Sequence, residues 1–191
     1  MGVYGLEGPG VKDVYPIGGK VCLWLPNGTY TFTIGSQTYS ALVSGGAVAV
    51  APYERVDFLR WNGTEMVTDE VVCQPLFASA KEIGSKAGSG YVVKGDVKTT
   101  DLKVNGTAYL ILADGATLTA NGTKTHAGIE VCGGNALTVY CQSAGTGKLE
   151  AKGGEEGAGI GGGNEAMNGD ITINGGSVTA TTVDYGAGIG G

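Results

Sequence analysis

The hexapeptide Gly-Ala-Gly-Ile-Gly-Gly stands at residues 157–162 and again at 186–191, and no other feature of the chain narrows its fold as much. The stretch from Gly157 to Gly163 carries five glycines. Each would cost about 1 kcal/mol in a helix interior relative to alanine, so helical repeats are excluded. The centre of the motif occurs a third time upstream: Ala127–Ile129, Ala158–Ile160 and Ala187–Ile189 follow one another at 31 and 29 residues. Eleven residues before each isoleucine lies an apolar-x-Ala segment, at Leu118-Thr-Ala120, Leu149-Glu-Ala151 and Val178-Thr-Ala180. A further apolar-x-apolar segment precedes these, at Leu110-Ile-Leu112, Leu137-Thr-Val139 and Ile171-Thr-Ile173. Three short strands per repeat, with Gly and Asn between them, describe one coil of a parallel β-helix. Side chains alternate along a strand, so Ile171, Ile173, Val178, Ala180 and Ile189 are expected to point inward. Thr119, Glu150 and Thr179 are expected to form an outward ladder. Parallel crossovers are right-handed by general rule, and the coil is taken to be so.

The segment Gly169–Ala180, followed by Gly-Ala-Gly-Ile-Gly-Gly, and the entry segment Leu110–Ala120 resemble the glycine-rich right-handed β-helix repeats of bacterial cell-surface proteins. These are adhesin-like and carbohydrate-binding proteins of gut and other anaerobes. The resemblance covers about Gly95 to Gly191. It implies a secreted or surface-attached parent protein, and brings no catalytic motif and no binding residue with it. The run stops inside a repeat at Gly191, so the chain is expected to belong to a longer protein; if it ends there, its open last coil is expected to self-associate with another molecule or to be covered by a partner.

The first half reads differently. From Lys20 to Phe77, alternating runs are broken by turn residues at Pro26-Asn-Gly28, Gly35-Ser-Gln37, Gly45-Gly46 and Asn62-Gly63, a pattern suited to antiparallel strands. Tyr30, Phe32 and Ile34 share one face of the segment Thr29–Ile34. The glycine-rich stretch Ile83–Gly90 reads as a corner or linker. The expected class is therefore all-β: a small antiparallel sandwich-like or capping domain over 1–88, then an incomplete right-handed parallel β-helix over 89–191. Trp24 and Trp61 offer flat rings on which a pyranose could stack, although a tryptophan in a small β-domain is more often simply part of its core.

Charge and composition remove other classes. Net charge is −6 and no Lys/Arg cluster offsets it, so nucleic acid is not an expected partner. No apolar run reaches the roughly 18 residues of a membrane span, and the opening decapeptide has neither the basic nor the apolar region of a signal peptide. Cys22, Cys73, Cys132 and Cys141 form no Cys-x-x-Cys pair, and buried free thiols are expected over disulfides. His126, the single histidine, has no Ser or Cys nucleophile motif beside it, and no catalytic residue is assigned. Glu155-Glu156 reads as a solvated turn. Gly145-Thr-Gly-Lys148 has Leu149 where a phosphate loop needs Ser or Thr. The loop Gly161–Asp170 holds Asn164, Glu165 and Asp170, oxygen donors that suit calcium, although the spacing matches neither an EF-hand nor a calcium-binding nonapeptide repeat. Otherwise no cofactor is expected.

The expected function is that of a non-catalytic module of an extracellular or cell-surface protein, serving as adhesin, glycan-binding part or stalk. Its partner would be a glycan or a host or cell-surface polysaccharide. Two alternatives stay open: the N-terminal part of a polysaccharide lyase or hydrolase built on a β-helix, and a purely structural spacer.

Overall fold

The structure, a computed structural model, describes residues 3–7, 25–34, 37–45, 47–78, 80–84 and 89–191. It is all-β over these residues, with one antiparallel sheet and three sheets built from parallel strands. The chain forms two compact units, Met1–Glu54 and Arg55–Gly191.

In the first unit, β1 (Val3–Glu7), β2 (Gly28–Ile34), β3 (Gln37–Ser44) and β4 (Ala47–Pro52) form an antiparallel sheet in that order. Two of the turns read from the sequence, Gly35-Ser-Gln37 and Gly45-Gly46, fall at the junctions of β2 with β3 and of β3 with β4, and β2 pairs along its whole length with β3, from Gly28↔Val43 to Ile34↔Gln37. Tyr30, Ala41 and Val43 make its small core, with Leu25 and Phe32 against them. The Tyr30 hydroxyl donates to the Pro26 carbonyl at 2.7 Å. Of the alternating runs read from Lys20 onward, the stretch up to residue 24 lies outside the described residues. The sequence carried no signal for β1.

The second unit opens with β5 (Glu54–Trp61), β6 (Met66–Pro75) and β7 (Glu82–Ile83). The chain then visits three sheets in strict rotation. The first circuit is β8 (Ser89–Val93), β9 (Asp96–Thr100) and β10 (Leu102–Val104), and the second is β11 (Thr107–Leu112), β12 (Thr117–Asn121) and β13 (Ile129–Glu130). The third is β14 (Ala136–Cys141), β15 (Lys148–Lys152) and β16 (Ile160–Gly161), and the fourth is β17 (Asp170–Ile173), β18 (Ser177–Thr181) and β19 (Ile189–Gly190). One sheet runs β5-β6-β8-β11-β14-β17, the second β9-β12-β15-β18 and the third β7-β10-β13-β16-β19.

The ladder registers match the repeat in two sheets. Leu118, Leu149 and Val178 are in line, as are Ile129, Ile160 and Ile189. Thr119, Glu150 and Thr179 form the expected ladder. In the remaining sheet one alignment is corrected: Leu137-Thr-Val139 pairs with Ala108-Tyr-Leu110, two residues ahead of the expected Leu110-Ile-Leu112. A slip of two leaves every side chain on the same face, so alternation alone could not detect it. Ile171, Val178 and Ala180 pack partly buried against the core, whereas Ile173 and Ile189, also read as inward, are 39 % and 49 % exposed on the last strands.

Close backbone approach explains the Ala-Gly-Ile motif. A Cβ on Gly159 would lie 2.6 Å from the Gly188 carbonyl oxygen and 2.8 Å from the Thr181 nitrogen, both backbone atoms of the next circuit. Polar side chains at the corners bind one circuit to the next. Asp101 accepts from the Thr123 backbone N–H at 2.7 Å, Asp114 from Ala144 at 3.1 Å, and Asn135 from Gly106 at 2.8 Å.

The outward face of the six-stranded sheet is not left to water. Val92 and Ile111 are in line and point away from Tyr91, Leu110 and Leu112, yet both are fully buried. Phe58 and Val71 of β5 and β6 pack against the same core, and the Phe58 ring meets Tyr140 edge-on at 4.7 Å. Tyr140 stands on β14, several strands away in the sheet order, so β5 and the start of β6 bend back over that face. The break between compact units therefore falls at 54/55, earlier than the composition change near residue 88. Alternating strands of both kinds look alike in sequence, and only tertiary pairing assigns β5 and β6 to the parallel stack.

Candidate functional site

Trp24 lies outside the described residues. Trp61 ends β5 with 57 % of its surface exposed, and it stands opposite in strand parity to Phe58, so it is not part of the hairpin's buried face. Asn164, Glu165 and Asp170 are all exposed. The Asn164 backbone N–H donates to the Thr125 carbonyl and that of Asp170 to the Asn135 carbonyl, two separate anchor points on earlier circuits. Among the described residues, no group of three or more His, Cys, Asp or Glu side chains is placed to hold a metal ion. Cys132 and Cys141 are free thiols, the latter buried, and Cys73 is buried as well; Cys22 is outside the described residues.

Two arrangements emerge that linear reading did not assemble. The first centres on Glu130. Lys103 and Glu130 stand on adjacent strands β10 and β13 and pair directly in register. Lys103 Nζ donates to Glu130 Oε1 at 2.9 Å, His126 Nδ1 lies 2.9 Å from Oε2, and the Cys132 thiol donates to Oε1 at 3.6 Å. Burial acts to push the Glu130 carboxyl up, but the hydrogen bonds from His126 and Lys103 outweigh it and hold the group below the ordinary glutamate range. The hydrogen bond to Glu130 raises the Lys103 ammonium, while burial and then the Glu130 charge push the Cys132 thiol up. The imidazole thus meets the carboxylate and not the sulfur, and the thiol is kept protonated. This is a clasp between two circuits. The signal for it was the register of Leu102-Lys103 with Ile129-Glu130, which the repeat could have shown had it been extended one circuit upstream.

The second is a cleft of about 500 Å³ near the corner loop after β16. Glu156, Glu165, Met167 and Tyr185 line it, over a floor of small residues that includes Gly162 and Ala187. Met167 and Tyr185 are 82 % and 91 % exposed. Glu156 and Tyr185 occupy matching positions of successive circuits: the Glu156 N–H donates to the Lys124 carbonyl, and the Tyr185 N–H to the Glu155 carbonyl. In the linear sequence Glu165 reads as a metal donor and Glu156 as a turn residue. Tyr185 and Met167 gave no linear signal, because the loops that carry them are brought together only by stacking.

With this geometry established, comparison with family models, with curated proteins and with solved structures finds no match for the chain. No helix among the described residues is long and apolar enough to cross a membrane.

Proposed function

We propose that residues from about Tyr91 onward form a right-handed parallel β-helix, and that the chain is a non-catalytic glycan-binding or adhesive module of an extracellular or cell-surface protein. The observation that carries this reading is the rotation of the chain through three parallel sheets with in-register Ile129, Ile160 and Ile189. Such a stack is a rigid, extensible scaffold whose corners can vary without disturbing its interior. The Glu130 clasp supports the non-catalytic reading, since it combines an ion pair with a protonated thiol and offers no activated nucleophile. An acidic surface with net charge −6 suits neutral or cationic partners better than anionic ones.

A glycan array screened with the whole chain tests the reading. Saturable binding to one group of related glycans is expected. A blank array, with the fold verified by circular dichroism, would leave the purely structural spacer.

A further inference from the structure

We infer that the cleft between the corner loop after β16 and Tyr185 is the glycan site, and that it takes a non-acidic pyranose, neutral or amino-substituted. This rests on the glycan-binding reading above and adds where the sugar sits and which sugars are refused.

The loop is where the repeat departs from itself. Positions paired in the ladders are five residues apart at this corner in the first circuit, from Leu102 to Thr107. They are seven apart in the second, from Ile129 to Ala136, and ten in the third, from Ile160 to Asp170. Insertions in a stacked repeat gather as loops on one face, which is often the binding face. The added residues are pinned. The Asn164 N–H donates to the Thr125 carbonyl and the Gly133 N–H to the Met167 carbonyl, each at 2.8 Å, and the Gly162 N–H donates to Asn168 Oδ1 at 2.7 Å. A loop held at both ends loses little freedom when a ligand arrives.

The lining has the chemistry of a sugar site. Tyr185 presents nearly its whole ring to solvent and Met167 nearly its whole side chain, so the cleft has an aromatic plate and a soft apolar contact. Glu156 stands one circuit from Tyr185, a strand spacing of about 4.8 Å, and Glu165 supplies a second carboxylate from the loop. Ionised carboxylates only accept hydrogen bonds, which suits the hydroxyls and ammonium groups of a sugar. A uronic acid or sulfated sugar would meet them charge against charge. The small residues of the floor leave room for a ring to approach the backbone. The volume, about 500 Å³, falls among those of small-ligand sites.

The test is calorimetric titration of the whole chain with cellotetraose, mannotetraose, a glucosamine tetramer and tetragalacturonate. Wild type, Tyr185→Ala, Tyr185→Phe, Glu165→Gln and Trp61→Ala are compared after circular dichroism has shown each to be folded. Binding to a neutral or amino oligosaccharide is expected, weakened about tenfold or more by Tyr185→Ala and retained by Tyr185→Phe. Glu165→Gln should weaken it less, and Trp61→Ala should leave it unchanged. Undiminished binding in folded Tyr185→Ala, or a preference for tetragalacturonate, would overturn the site while the glycan-binding reading stood. Wild type silent both here and on the array would overturn the two together.

Discussion

The antiparallel sheet of the first unit and the parallel stack of the second are made of the same short alternating strands, but they fix register by different means. In the sheet, a connection of two residues joins β2 to β3 and β3 to β4 and sets their pairing locally. In the stack, residues paired in the parallel ladders stand 17 to 34 positions apart, as at Gln74↔Tyr91 and Ala136↔Asp170, so no local turn can choose the register. It is chosen instead by small residues where backbones touch and by corner side chains that reach the next circuit. The lesson is that glycine does different work in the two regions: it permits a turn in one and close stacking in the other.

The sharpest attempt to break this comparison is Gly159→Val set beside Gly45→Ala. Gly159 is hemmed in by backbone of the next circuit, whereas Gly45 has a φ of +57° and open space where a Cβ would go. Gly159→Val is expected to cost more than about 3 kcal/mol, the upper end of ordinary overpacking, with loss of amide protection from β15 to β19 in hydrogen exchange. Gly45→Ala should cost about 1 kcal/mol for its left-handed backbone alone. Equal tolerance of both would mean that close approach does not set the register.

Interior packing comes next. Leu149 is fully buried between Leu118 and Val178, and Leu149→Ala should lower stability by about 2–5 kcal/mol in chemical denaturation. The Glu130 clasp should contribute less. Glu130→Gln is expected to cost about 1–2 kcal/mol, because it weakens hydrogen bonds from charged partners without opening a cavity. The folded-state value of Glu130 is lowered, so its contribution is present above the ordinary glutamate pKa of about 4.3 and is lost as pH falls through the depressed value. Denaturation midpoints of wild type and Glu130→Gln should therefore converge below that range; a constant gap down to strongly acid pH would separate the effect from Glu130 ionisation.

One substitution should act in the opposite direction. Thr99 takes the position held in later circuits by Ala120, Ala151 and Ala180, and its buried hydroxyl has no hydrogen-bond partner. Thr99→Val keeps the shape, removes that group and is expected to raise stability by about 1 kcal/mol. The smallest effect belongs to Arg55, whose exposed ion pair with Glu70 is open to solvent. Arg55→Ala should leave the denaturation midpoint unchanged within measurement error, and a clear loss would show that β5 depends on its surface charges.

How much was legible can be judged residue by residue. The line of Ile129, Ile160 and Ile189 was readable because a repeat writes its own register when two copies are nearly identical. The slip at Leu110 was not, because two-residue shifts preserve the inward face. The Glu130 clasp and the Tyr185 cleft do not read as linear motifs, since Lys103 stands a circuit from Glu130 and Glu156 a circuit from Tyr185, and each resembles an ordinary surface residue by itself.

The sequence by itself determined the all-β class, the hairpin turns from Gly28 to Pro52 and the stacking of the last three circuits. Backbone propensity and repeat spacing are local or self-referential properties, and they survive in a linear text. Only the tertiary structure decided that β5 and β6 join the parallel stack, that Val92 and Ile111 are buried beneath them, and that Glu156, Glu165 and Tyr185 line one cleft. Those outcomes depend on which surfaces exclude water together, and the strand sequences are compatible with more than one answer until the whole chain is packed.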